Sequence, residues 1–164
     1  RLLIVPGSLS GALLPFVSAS AARAGPHRGS ERVVGRALMY LLPTLALPAG
    51  LVALLAHPLL RLWLGDVYAA RGAAALTILA AGVVINGAAH LPSAYLYARG
   101  RPDLPALLHL LELPAYAAAA WVLIRAHGVA GAALAWTLRV SVDAVLLGAA
   151  MWWVARPVRL RAVA

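Results

Sequence analysis

Residues 104–124 read LPALLHLLELPAYAAAAWVLI, and after the break RAHG (Arg125–Gly128) the chain continues through 129–155 as VAGAALAWTLRVSVDAVLLGAAMWWVA. Neither stretch carries the polar stripe, at every third or fourth position, that a helix on the surface of a soluble core must show. A helix rises about 1.5 Å per residue, so roughly 20 apolar residues cross a hydrocarbon core of about 30 Å. Both stretches reach that length. Moving back along the chain, the same pattern recurs at 2–22, 37–60 and 73–98. The expected fold class is therefore all-α, a polytopic membrane protein with about five transmembrane helices. Residues 1–155 form the transmembrane domain, and 156–164 form a basic tail.

Composition narrows the chemistry. A chain that is 63% hydrophobic and 12% charged has more apolar surface than one soluble core can bury. Cysteine is absent, which excludes disulfides, thiolate metal sites and cysteine nucleophiles. Every one of the 14 basic residues is arginine, which removes lysine Schiff bases and the phosphate-gripping lysine of a P-loop. The net charge of +9 is explained by topology and not by a nucleic-acid partner. Arg23, Arg28, Arg32, Arg36, Arg99, Arg101, Arg156, Arg159 and Arg161 fall in alternate breaks, and only Arg61, Arg71 and Arg125 fall in the others. Arginine-rich loops stay in the cytoplasm. The expected topology puts 23–36, 99–103 and 156–164 inside and 61–72 and 125–128 outside, with the basic loops against anionic headgroups. Because the chain opens at Arg1 with a span and no signal peptide, we read it as the C-terminal portion of a longer protein.

Local signals subdivide the spans. Gly7 and Gly11 form a small-xxx-small pair suited to close helix packing, and Pro15 predicts a kink in the first span. The stretch 23–36 is read as a loop, leading into a short interfacial helix at Glu31–Arg36. Pro43 and Pro48 predict an irregular second span. Gly65-Asp66 and Gly100–Asp103 supply turns, with Asp103 as a cap for the fourth span and Pro105 in its first turn. Trp63, Tyr68, Tyr95, Tyr97, Trp121, Trp152 and Trp153 fall near span ends, as interfacial aromatics do.

Function must rest on the few polar groups inside the spans. These are Asn86 and His90 on the third, His109 and Glu112 on the fourth, and Arg139 and Asp143 on the fifth. A central charge costs roughly 2.5–3.5 kcal/mol to insert, so each should face protein or water. Arg139 and Asp143 lie one turn apart and are expected to neutralise each other, with Arg139 alternatively handling an anionic substrate. Glu112, with His109 as its local partner at i,i+3, is a candidate for proton or cation coupling. A metal held by His90, His109 and Glu112 would need all three to converge. No HExxH, GxSxG, Gly-rich phosphate loop or paired surface acids occur, so no catalytic residue, metal or cofactor is expected.

Four segments, taken in order, resemble the C-terminal part of the polysaccharide exporters, the lipid-linked oligosaccharide flippases of the MOP superfamily. They are SLSGALLPFVSASAAR (Ser8–Arg23), LWLGDVYAARGAAALTILAAG (Leu62–Gly82), YLYARGRPDL (Tyr95–Leu104) and HGVAGAALAW (His127–Trp136). The resemblance implies spans eight to twelve of a two-lobed, twelve-span protein of the bacterial cytoplasmic (inner) membrane, whose N-terminal half is the partner of this segment. It implies alternating access and a polyprenyl-pyrophosphate-linked glycan as substrate. Arginine forks suit the diphosphate, which makes Arg139, with Ser8 and Ser10 of the first span, the candidate substrate contacts. Multidrug or cation antiporters and lipid II flippases share the superfamily fold and stay open as alternatives. A membrane enzyme of polyprenyl-linked sugar assembly is the alternative of a different class.

Overall fold

A computed structural model describes residues 30–155. The first span (2–22), with Ser8 and Ser10, lies outside the described residues, as does the tail at 156–164. Among the described residues the chain is helical: α1 (Ser30–Leu54), α2 (Ala56–Leu64), α3 (Asp66–Ala98) and α4 (Asp103–Ala155). Glu31–Arg36 is helical as expected, but as part of α1 and not as a separate short helix. Once nucleated, a helix gains a hydrogen bond with each added residue, and nothing between Ser30 and Tyr40 breaks it. Pro43 and Pro48 lie within α1 without ending it. The break falls at Leu55 instead, where the chain bends by 60° into α2.

Three glycines make the corners. Gly65, Gly100 and Gly128 have φ of 87°, 69° and 57°, in the region where a Cβ is disfavoured. The expected loop at 61–72 therefore shrinks to Gly65, with α2 and α3 helical on either side. The turn at Gly100 falls where the sequence placed it. Asp103 opens α4; its carboxylate accepts from the Arg101 guanidinium at 2.9 Å, and the Ala106 N–H donates to the Pro102 carbonyl.

Straight, the 53 residues of α4 would extend about 80 Å, far more than a bilayer. The backbone instead leaves helical geometry at Gly128 (ψ −128°) and folds back. Its arms, 103–127 and 129–155, run antiparallel: Gly131 lies against the Leu123 carbonyl, and His109 lies against Asp143. Two helices among the described residues, α3 and α4, are long and apolar enough to cross a membrane, and the bent α1–α2 pair makes a third if taken as one span.

Helix α3 is the hub. Leu38 and Leu41 of α1 pack with Met151, Val154 and Ala155 of α4 on Leu91, Ala94 and Tyr95 of α3. A second cluster joins Ala89 and Leu96 of α3 to Leu147, Leu104 and Leu108 of α4. Near the other end, the Thr137 hydroxyl donates to the Ile78 carbonyl at 3.2 Å, and Gly82 leaves room for Trp136. Small residues allow this close approach, since apolar lipid supplies little drive for helices to associate. The packing sets Arg36, Arg99 and Arg101 at one end of the bundle and Arg61, Arg71 and Arg125 at the other.

Candidate functional site

The α4 hairpin carries two pairs of ionisable groups. His109 and Glu112 share a face of the first arm at i,i+3, and Arg139 and Asp143 share a face of the second at i,i+4. Folding at Gly128 brings the two faces together. His109 Nε2 then lies 2.9 Å from Asp143 Oδ1, and Arg139 Nε lies 3.8 Å from Glu112 Oε2. The acids are the buried members, with side chains 6% (Glu112) and 10% (Asp143) exposed, against 29% for Arg139 and 43% for His109.

This corrects the expected pairing. Among the described residues no ion pair joins Arg139 to Asp143, and Glu112 is paired with Arg139, not with His109 alone. The reason is the antiparallel register, which gives each acid a nearer base on the opposite arm than on its own. The four groups still act on one another, since Glu112 lies in the field of Asp143 as well as of Arg139 and His109.

Both carboxylate oxygens of Glu112 and Arg139 Nε are buried and complete no hydrogen bond, and the 2.9 Å contact of Asp143 Oδ1 with His109 lacks hydrogen-bond geometry. Buried polar atoms are ordinarily satisfied, so the exceptions ask for an explanation. The set has the capacity to accept a proton or cation on its acids and an anion on its guanidinium. The Tyr116 ring, with its centroid 5.6 Å from the Arg139 guanidinium carbon, adds a cation–π contact. Tyr116 was not singled out from the sequence, although its place one turn after Glu112 on the same face was a usable signal.

The other expected site residues stand apart. Asn86 is half-buried and His90 exposed on α3, and neither side chain forms a hydrogen bond or ion pair among the described residues. His90 does not converge with His109 and Glu112, and no group of three metal-ligating side chains is found among the described residues.

With this geometry in view, the chain compares with known proteins as follows. It is 30% identical over 148 residues to a protein of Shigella flexneri named "Putative O-antigen transporter", an alignment covering 90% of this chain and 34% of that relative. The chain is similar to a transporter. It spans about a third of that relative's length. No family model and no solved structure matches the chain. The apolar helices and this similarity together indicate a membrane protein, similar to one named as a transporter.

Proposed function

We propose that the chain is the C-terminal part of an exporter that moves a lipid-linked oligosaccharide across the bacterial cytoplasmic membrane by alternating access, for polysaccharide assembly at the cell surface. The observation that carries this reading is the buried charged cluster of His109, Glu112, Arg139 and Asp143 in a chain similar to a named O-antigen transporter. In this reading α1, α3 and the two arms of α4 are four crossings, and 2–22 supplies a fifth. The arginine-rich end faces the cytoplasm.

The cluster has two acids and one permanent cation, so with His109 neutral it is one positive charge short. A proton or a small cation makes up that charge. The pyrophosphate of the substrate competes with Glu112 for the Arg139 guanidinium, and substrate entry therefore frees a carboxylate to take up a proton. Glu112 and Asp143 are the coupling groups, Arg139 the phosphate contact, and His109 the partner that holds Asp143.

The test is export by the whole protein in a strain lacking its own exporter. The native gene restores surface polysaccharide; failure to do so, with sugar transfer activity in membranes instead, would overturn the exporter reading. Glu112→Gln keeps size and polarity but removes the exchangeable proton, so export is lost at near-normal abundance. Normal export by that variant would sink the coupling role alone. Two buried acids in one cluster also suit a cation antiporter, and drug resistance without polysaccharide export would favour that reading.

A further inference from the structure

The short helix α2 is unlike the rest of the bundle. It is bent by 60° from α1, and its nine residues present three different faces. Ala56 is buried and Leu60 half-buried, and these two, one turn apart, form the face toward α3. On one flank Leu59, Leu62 and Trp63 are 44%, 86% and 88% exposed. On the other flank His57 and Arg61, again one turn apart, are also exposed. A helix in bulk water would not leave the first flank bare, and a helix in hydrocarbon would not present the second.

The depth of α2 can be read from the helix beside it. Between Arg71 and Arg99, α3 has no charged residue. That interval extends about 40 Å at 1.5 Å per residue, enough for the hydrocarbon thickness of about 30 Å and the interfacial margins beside it. Gly72, next to Arg71, therefore lies at one edge of the uncharged layer. Leu60 Cδ1 lies 3.2 Å from the position a Cβ on Gly72 would take, so the middle of α2 is level with that edge.

We infer that α2 is an interfacial helix, seated in the lipid of one leaflet at the boundary between acyl chains and headgroups. Leu59, Leu62 and Trp63 enter the lipid, while His57 and Arg61 face the headgroups and water. Such a placement suits a helix whose opposite flanks differ in polarity, and tryptophan prefers this layer. The charge of Arg61 is already matched by Asp66 at 2.6 Å, so apolar insertion and not attraction to anionic lipid holds the helix. The corner at Gly65 thereby fixes how deep α3 sits. The inference does not depend on which substrate the protein moves.

The experiment places nitroxide labels in the whole protein, reconstituted in phosphatidylcholine vesicles with and without phosphatidylglycerol. Leu59→Cys, Leu62→Cys and His57→Cys carry the labels, and Leu79→Cys on α3 marks the mid-membrane reference. Collisions with oxygen, which is concentrated in lipid, are compared with those of a water-soluble nickel chelate. The oxygen-to-nickel ratio is expected to be several-fold higher at Leu59 and Leu62 than at His57, and lower than at Leu79, in both kinds of vesicle. Nickel access at Leu59 and Leu62 equal to that at His57 would put the flank in water and overturn the inference. So would shielding of both from oxygen and nickel alike, which would mean that protein covers them. A ratio at His57 matching Leu79 would make α2 part of a buried span, and dependence on phosphatidylglycerol would overturn apolar insertion.

Discussion

Two arginine–carboxylate contacts in this molecule have opposite characters. At the α2–α3 corner, Arg61 and Asp66 meet at 2.6 Å with side chains 64% and 75% exposed. Within the α4 hairpin, Arg139 and Glu112 stand 3.8 Å apart with side chains 29% and 6% exposed. The shorter contact is the weaker one energetically. Exposed pairs are screened and contribute roughly 0.2–1 kcal/mol, whereas stranding one partner of a buried pair costs about 3–5 kcal/mol. The tight pair braces an exposed turn; the loose pair is buried, with unsatisfied atoms on both sides.

The largest expected effect follows from removing the one permanent cation of the cluster. Arg139→Ala leaves Glu112 and Asp143 facing each other and should destabilise the protein by about 3–5 kcal/mol, seen as lost membrane abundance and a lower melting temperature in detergent. Pairing across the arms predicts that adding Glu112→Ala restores more abundance than adding Asp143→Ala. The reverse order would restore the same-helix pair and break the comparison.

Next comes the hairpin that creates the cluster. A Cβ on Gly131 would meet the Leu123 carbonyl and the Ile124 nitrogen, backbone atoms that cannot turn aside. Gly131→Ala should cost about 1–3 kcal/mol through overpacking. Gly87→Ala meets only the tip of the Leu45 side chain and should cost less. Melting temperatures of the two variants check the order; equal losses would mean that the α4 arms are not as close as described.

Smallest is the corner pair. Asp66→Asn should shift stability by no more than about 1 kcal/mol and leave export unchanged. A loss comparable to that of Arg139→Ala would erase the distinction between the exposed and the buried pair.

Much of the architecture was legible in the residues themselves. The runs 104–124 and 129–155 became the two arms, and Gly65, Gly100 and Gly128 became corners because each lies at a break between apolar runs. At Glu31–Arg36 the expected helix is present but runs on into α1, and at 61–72 the chain is helical on both sides of Gly65. Polar and arginine-bearing residues do not by themselves end a helix, and the break at 61–72 is confined to Gly65, whose positive φ does end one. The bend at Leu55 has its signal in Pro58, which has no N–H to donate to the Leu54 carbonyl, whereas Pro43 and Pro48 sit inside α1. The site was half legible: His109, Glu112, Arg139 and Asp143 stood out as charges in apolar runs, but their partners did not.

Spacing along one chain shows only which residues share a helix face, and by that measure Arg139 belonged with Asp143. Which face meets which is set by the turn at Gly128 and the close packing of Gly131 on Leu123, and these placed Arg139 opposite Glu112 and His109 opposite Asp143. The sequence by itself determined that the chain is apolar and helical and that its few inner charges are exceptional, because insertion costs and helix length are properties of individual residues and segments. Only the tertiary structure decided how those charges pair, because Coulomb energy depends on distances through space that no separation along the chain specifies.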